Sequence, residues 1–286
     1  MAVMQVPVAT WRPEFDAVMA GAPPSRAETA LLAACQIGEM VVAGADLPPD
    51  TTDPARRVRA GLIRYLLLGG DAAHRPHPKG VWLAGAWIDG GLDFQSCETG
   101  LDLVLWSCLL PQQPVFRDAR LHGLVLSGCR ALQGVNLQGA TIAANLFLRG
   151  FSCTGLVDLG GARITGQLAC DGGRFDGAGG PALTCQAVTV GADVLLTDGF
   201  HATGEVNLTR ATITGQLACN GGWFDGAGGR ALTCQAVTVG ADVFLTDGFH
   251  ASGLVDFTRA RITGNLMVQQ AQLAGGIDLQ QAQVGA

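Results

Sequence analysis

Residues 164–212 read ITGQLACDGGRFDGAGGPALTCQAVTVGADVLLTDGFHATGEVNLTRAT, and residues 213–261 follow without a gap as ITGQLACNGGWFDGAGGRALTCQAVTVGADVFLTDGFHASGLVDFTRAR. Nine of the forty-nine positions differ. A block of this size can be copied in tandem without wrecking a fold only if the unit stacks on itself, so the duplication points to a solenoid. Inside the block, apolar residues stand in pairs two positions apart: Leu168/Cys170, Leu183/Cys185, Val188/Val190, Val194/Leu196, Phe200/Ala202, Val206/Leu208 and Ala211/Ile213, with Phe175 alone. Each pair marks one very short strand pointing inward, followed by a corner. Eight sides make two coils of four, so the duplicated block is a two-coil unit.

The same rhythm extends upstream, through Val81/Leu83, Ala86/Ile88, Leu92/Phe94, Leu101/Leu103, Leu124/Leu126, Val135/Leu137, Ala140/Ile142, Leu146/Leu148, Phe151/Cys153, Val157/Leu159 and Ala162/Ile164. The predicted fold is mainly β: a right-handed quadrilateral parallel β-helix over residues 79–286, of about eight or nine coils at a spacing of about 4.8 Å. Residues 1–78 form a small N-terminal α-helical cap. Ser25 and Glu28 make a capping box that predicts a helix over 26–42. Asp53 as N-cap, Pro54 at the first helical position and the Val58, Leu62, Leu66 stripe predict a second helix, stopped by Gly69 and Gly70, with Arg56, Arg57, Arg59 and Arg64 around it. Trp82 and Trp87 are expected to be buried beneath the cap.

The 286 residues are 15% charged with a mean hydropathy of +0.30, yet no apolar run approaches the roughly 20 residues of a membrane helix. The N-terminus has no basic and apolar leader pattern. Residues 1–79 hold 8 acidic and 8 basic side chains and residues 80–286 hold 16 and 10, so the net charge of −6 lies in the repeats and a basic nucleic-acid footprint is absent. Eight of the nine cysteines take slots where other repeats carry Leu, Ile or Val: Cys97, Cys108, Cys129, Cys153, Cys170, Cys185, Cys219 and Cys234. They read as small buried hydrophobes of a reducing, cytoplasmic protein, neither disulfide-bonded nor metal-ligating.

Val135-Asn136-Leu137-Gln138-Gly139, Ala140-Thr141-Ile142-Ala143-Ala144, Val157-Asp158-Leu159-Gly160-Gly161 and Val206-Asn207-Leu208-Thr209-Arg210 resemble the units of the pentapeptide-repeat family. The resemblance covers about 200 residues in rhythm, although sides of six to eight residues intervene. It implies a right-handed parallel β-helix and names no activity. Because some pentapeptide-repeat proteins are rod-shaped mimics of duplex DNA that bind topoisomerase, it also raises an acidic face built from Asp158, Asp193, Asp242 and Asp256, among which Arg163, Arg210, Arg259 and Arg261 are interleaved.

Several residues invite a chemical reading. Asp198 and His201, copied as Asp247 and His250, stand at acid–base spacing, but a centre that occurs twice, two coils apart, reads better as a turn with a solvent-facing imidazole. The Gly-rich blocks at 171–180 and 220–229 lack the Lys and following helix of a phosphate loop and the tandem aspartates of a calcium roll; they read as corner bulges. Trp223 and Phe244 replace Arg174 and Leu195 of the first copy and should point outward. With Asp193, Asp242 and Asp256 they are the expected partner surface, while Ile277 and Leu279 in the final coil are the expected self-association end, giving a homodimer. The function these residues support is a non-catalytic scaffold for protein interaction, without cofactor or metal. The alternatives are the DNA mimic and a carbohydrate-binding or carbohydrate-active β-helix, the last requiring a groove with two or more carboxylates and exposed aromatics.

Overall fold

The computed structural model describes residues 12–49, 53–226 and 228–285; the reading of the first eleven residues as lacking a leader concerns positions outside that set. The chain forms a parallel β-solenoid with four sheets and a small N-terminal helical part. Sheet A has ten strands, from Val41–Val42 to Leu266–Val268, and sheet B ten, from Arg57–Arg59 to Gln272–Leu273. Sheet C has seven, from Val135–Asn136 to Ile277–Asp278, and sheet D eight, from Arg120–Leu121 to Gln283–Val284. One coil visits all four in turn, for example Leu146–Phe147, Ser152–Thr154, Val157–Asp158 and Arg163–Ile164. Every inward pair named above is buried except that Leu101 is half-buried.

Corners are closed by short polar side chains. Along sheet C, Asn136, Asp158, Asn207, Asp256 and Asp278 each accept a hydrogen bond from the backbone N–H two residues on, at 2.8–3.1 Å. These Asx turns occupy the donor that the strand no longer pairs.

The register shows why the copied unit is two coils long. In sheet A, Leu168 lies beside Val194, Val194 beside Leu217, Leu217 beside Val243 and Val243 beside Leu266, so coils of 26 and 23 residues alternate. Two devices alternate with them. In sheet B, Phe200 is followed two residues later by the inward Ala202, whereas the next coil has Gly222 and then Phe224. The rings of Phe151, Phe175, Phe200, Phe224 and Phe249 thus zigzag down the core with centroids 5.2–5.9 Å apart, each filling the space left by a Gly, Cys or Ala of its neighbours. A Cβ on Gly222 would stand 2.7 Å from the Phe224 ring and 2.8 Å from the Leu196 carbonyl. At the entry to sheet A, Asp193 accepts from the Gln216 N–H of the next coil at 3.0 Å and Asp242 from the Asn265 N–H at 2.7 Å. That reach requires Gly215, where a Cβ would stand 2.2 Å from the Asp193 carboxylate. Each coil type therefore fits above and below the other type.

The N-terminal part departs from expectation. Helix α1 (Arg12–Met19) has no apolar run to announce it; Phe15 packs on Tyr65 at 4.8 Å. Helix α2 spans Arg26–Ile37 with the capping box formed, but ends at the left-handed Gly38, and Val41–Val42 joins sheet A beside Leu83 and Ala84. The second helix, α3, begins only at Ala60 and runs to Leu67. Arg57–Arg59 is instead a strand beside Trp87–Asp89, with Val58 buried and Arg57 and Arg59 turned to Asp89 and Glu28. Pairing with an open sheet edge satisfies the backbone and buries Val58 there, so it displaces helix formation. Trp82 and Trp87 are half-buried, not buried, on the outer faces of sheets A and B, with Lys79 over Trp82 at 5.8 Å and Arg57 of the N-terminal part over Trp87 at 5.9 Å.

All nine cysteines are free thiols; eight are buried and Cys97 is half-buried. Burial pushes the Cys35 thiol up to about 11 and that of Cys153 to about 12, and raises Cys170, Cys185, Cys219 and Cys234 as well. The thiolate is the reactive form. Iodoacetamide at pH 8 is therefore expected to add to Cys97 alone in the native protein and to all nine cysteines in denaturant, as read by intact mass. Rapid native labelling of several thiols would contradict this packing.

Candidate interaction surface

Each strand residue between two inward ones points outward, and its chemistry differs from sheet to sheet. On sheet D the outward row is Arg120, Thr141, Arg163, Thr189, Thr212, Thr238, Arg261. On sheet C it is Asn136, Asp158, Thr184, Asn207, Thr233, Asp256, Asp278. Sheet A presents something else: Trp82, Val104, Val125, Phe147, Ala169, Leu195, Ala218, Phe244, Met267. Nine successive outward positions are apolar on this face alone; Val104, Ala169 and Ala218 are buried between their neighbours in the row and the other six are half-buried. An unbroken row on a parallel sheet spans about 38 Å at the inter-strand spacing.

At its N-terminal end the row sinks into a concavity of about 660 Å³ lined by Met40, Trp82, Val104, Trp106, Val125 and Phe147. Trp106 is 50% exposed on its rim. The Arg149 guanidinium lies over the Phe147 ring at 4.4 Å and donates to Asp171 at 3.0 Å, with Thr197 donating to the same carboxylate at 2.7 Å. On the opposite rim His122 pairs with Asp102 at 2.7 Å. An apolar floor with a hydrogen-bonded polar rim is the anatomy of a protein interface.

The expected partner residues are not brought together. Phe244 is half-buried in the sheet A row, between Ala218 and Met267. Trp223 is 47% exposed on sheet B, between His201 and His250. Asp193 and Asp242 serve as the coil-to-coil caps described above. Asp256 is 2% exposed; it accepts from Thr258 N–H and Gln235, with Arg230 3.7 Å away. Burial pushes its carboxyl up, and those hydrogen bonds together with the Arg230 charge outweigh burial and hold it below the usual range. Ile277 is half-buried beside Val255, and Leu279 is 43% exposed.

Asp198 and Asp247 have positive φ, 53° and 54°, and turn the corner, while the two imidazoles face outward on sheet B. Thr246 and Asn220 donate to Asp247 and hold its carboxyl below the usual range. His201 and His250 flank Trp223, at 6.1 and 3.8 Å between ring centroids, and His250 also reaches Gln272 at 3.2 Å. Among the described residues no group of three or more His, Cys, Asp or Glu is arranged to hold a metal ion, and no helix is long and apolar enough to cross a membrane. Set against known proteins, the chain matches no family model, and neither a curated protein nor a solved structure is significantly similar to it.

Proposed function

We propose that this protein is a non-catalytic β-solenoid scaffold that binds a protein partner along the outer face of sheet A, and that it is a divergent relative of the pentapeptide-repeat proteins. The observation behind the first part is the apolar row from Trp82 to Met267, set against polar rows on sheets C and D. Support for the second is the coil itself, with four short strands, inward apolar residues and Asx-closed corners. A partner segment with its own apolar stripe would cover the row and leave Arg149, Asp171 and Thr197 at the edge. A DNA-mimic reading needs a continuous acidic row; Asp193, Asp242 and Asp256 are engaged in capping and burial, and the sheet D row from Arg120 to Arg261 consists of Thr and Arg.

A photo-crosslinking residue placed at Leu195, on sheet A, is expected to give a discrete adduct in extract of the source cells, and the same residue at Thr189, on sheet D, to give none. Phe147→Glu and Phe244→Glu should each remove most of that adduct, because a charge at the centre of an apolar contact is desolvated. An adduct at twice the chain's mass would identify the partner as a second copy. Equal labelling from both faces, or none from Leu195, would contradict the reading.

A further inference from the structure

The apolar row on sheet A is bordered on each side by polar positions, and their charge is of one sign. Asp193 and Asp242 stand two residues before Leu195 and Phe244, where the chain enters sheet A from sheet D. Asp198 and Asp247 stand three residues after them, at the corner where it leaves for sheet B. The capping bonds to Asp193 and Asp242 fall on Oδ1, and the hydroxyl and amide bonds to Asp198 and Asp247 fall on Oδ2. Among the described residues each of these four carboxylates thus keeps one oxygen without a donor, and none forms an ion pair.

The cations of these coils stand on the other sides of the rod. Residues 164–270 contain no lysine and five arginines. Arg174 faces out from sheet B and Arg261 from sheet D, Arg210 and Arg259 turn corners with φ of 57° and 60°, and Arg230 lies beside Asp256. Both histidines of the stretch, His201 and His250, are on sheet B. Arg149, at the N-terminal end of this part of the row, is held by Asp171 at 3.0 Å. From Ala169 to Met267 an apolar floor therefore runs between two anionic edges.

We propose that the occupant of sheet A is an amphipathic α-helix whose apolar stripe is flanked on both sides by lysine or arginine; this rests on sheet A being the binding face. The face itself dictates a helix. Its strands are already paired with the coils above and below. An extended segment laid across Leu195 and Phe244 would bury its own N–H and C=O groups against apolar carbon without partners. A helix bonds its backbone internally and offers a stripe at i, i+3, i+4 and i+7. From Phe147 to Met267 the row covers five inter-strand steps, about 24 Å, the length of about 16 helical residues. The aspartates stand two or three residues to either side, roughly 7–10 Å from the row. Long basic side chains beside the stripe of a helix about 10 Å across come down there. Acidic side chains in the same places would meet the carboxylates head on, so repulsion as well as attraction selects the partner.

The test uses the full chain with the photo-crosslinking residue at Leu195 and three dye-labelled peptides of about 18 residues. One has a Leu stripe flanked by Lys, one the same stripe flanked by Glu, and one is the Lys peptide shuffled so that no stripe remains. Fluorescence anisotropy is expected to show saturable binding of the Lys-flanked helix alone, weakening as salt is raised, with an adduct at Leu195. Asp198→Asn combined with Asp247→Asn should reduce its affinity about tenfold at low salt, and Asp176→Asn on sheet B should leave it unchanged. Asn keeps an accepting side-chain oxygen and tolerates the positive φ at both corners, so the variants are expected to retain the parent circular dichroism spectrum. Equal binding of the Glu-flanked or shuffled peptide, no binding of the Lys-flanked helix, or an affinity untouched in the double variant overturns the inference. If Leu195 still captures a partner from cell extract, such a failure leaves sheet A as the binding face; if it captures none, the reading on which the inference rests falls as well.

Discussion

Glu28→Ala is expected to destabilise the N-terminal cap by about 3–5 kcal/mol, the usual effect of leaving one member of a buried ion pair alone. Glu28 is 2% exposed and ties three elements together. It accepts from Ser25 N–H at 2.9 Å, closing the start of α2, and from Arg59 N–H at 2.8 Å, holding the strand Arg57–Arg59. It also receives the Arg59 side chain at 2.7 Å through both Nε and Nη2, while Arg59 Nη1 reaches the Val18 carbonyl of α1 at 2.7 Å. Burial raises the Glu28 carboxyl, but the Arg59 side chain, the two backbone donors and the Arg59 charge outweigh it, and the net shift is downward. A lowered folded-state value means this stabilisation is present above the unfolded Glu value of about 4.3 and is lost as pH falls through the folded one. Urea unfolding followed at 222 nm at pH 7 should show helical signal lost at lower denaturant in Glu28→Ala than in the parent. Parent protein brought below pH 4 should approach the variant. Coincident transitions at pH 7 would contradict the role of this carboxylate.

Deleting one coil, residues 194–216, is expected to cost more stability than deleting the whole 49-residue block 213–261. In an ordinary solenoid, stability grows with each stacked unit, so the longer chain should be the stronger one. Here removal of one coil stacks two coils of the same type. Gly173 and Phe175 would meet Gly222 and Phe224, ring beside ring in one column and glycine beside glycine in the other, in place of the zigzag at 5.2–5.4 Å. Ala241 would take the place of Gly215 over Asp193, where a Cβ has only 2.2 Å. Two bulges would also lie on adjacent coils. Overpacking costs roughly 1–3 kcal/mol and an unfilled aromatic site about 3–5 kcal/mol. Deleting 213–261 joins Thr212 to Ile262 and keeps the alternation, because Ile262-Thr263-Gly264 matches Ile213-Thr214-Gly215.

The inward residues were legible because the period-2 apolar pairs mark buried positions: of the pairs assigned, only Leu101 is not buried. The cap was legible only in part. Val58, Leu62 and Leu66 fit a helical stripe, and nothing local says that Val58 sits opposite Ile88 on an open sheet edge. Asp256 reads as a surface acid because its burial depends on Arg230, which arrives from a bulge 26 residues earlier. The sheet A row was present in the sequence and missed. Its signal is the middle residue of every fourth inward triplet: Trp82, Val104, Val125, Phe147 and on to Phe244, apolar where sheets C and D have Asn, Asp, Thr or Arg. Phe244 was singled out as a difference between copies, whereas its significance lies in what it shares with Leu195, an apolar outward position in one continuous row.

The central claim is that the duplicated segment 164–261 is built from a two-coil unit whose two coil types are fitted to stack on each other. Its most direct test is the melting midpoint of the two deletion chains measured side by side by circular dichroism. The alternation predicts that the chain lacking 213–261 melts cooperatively and at the higher temperature, although it is the shorter by 26 residues. A higher midpoint for the chain lacking only 194–216, with stability simply following the number of coils, would contradict it.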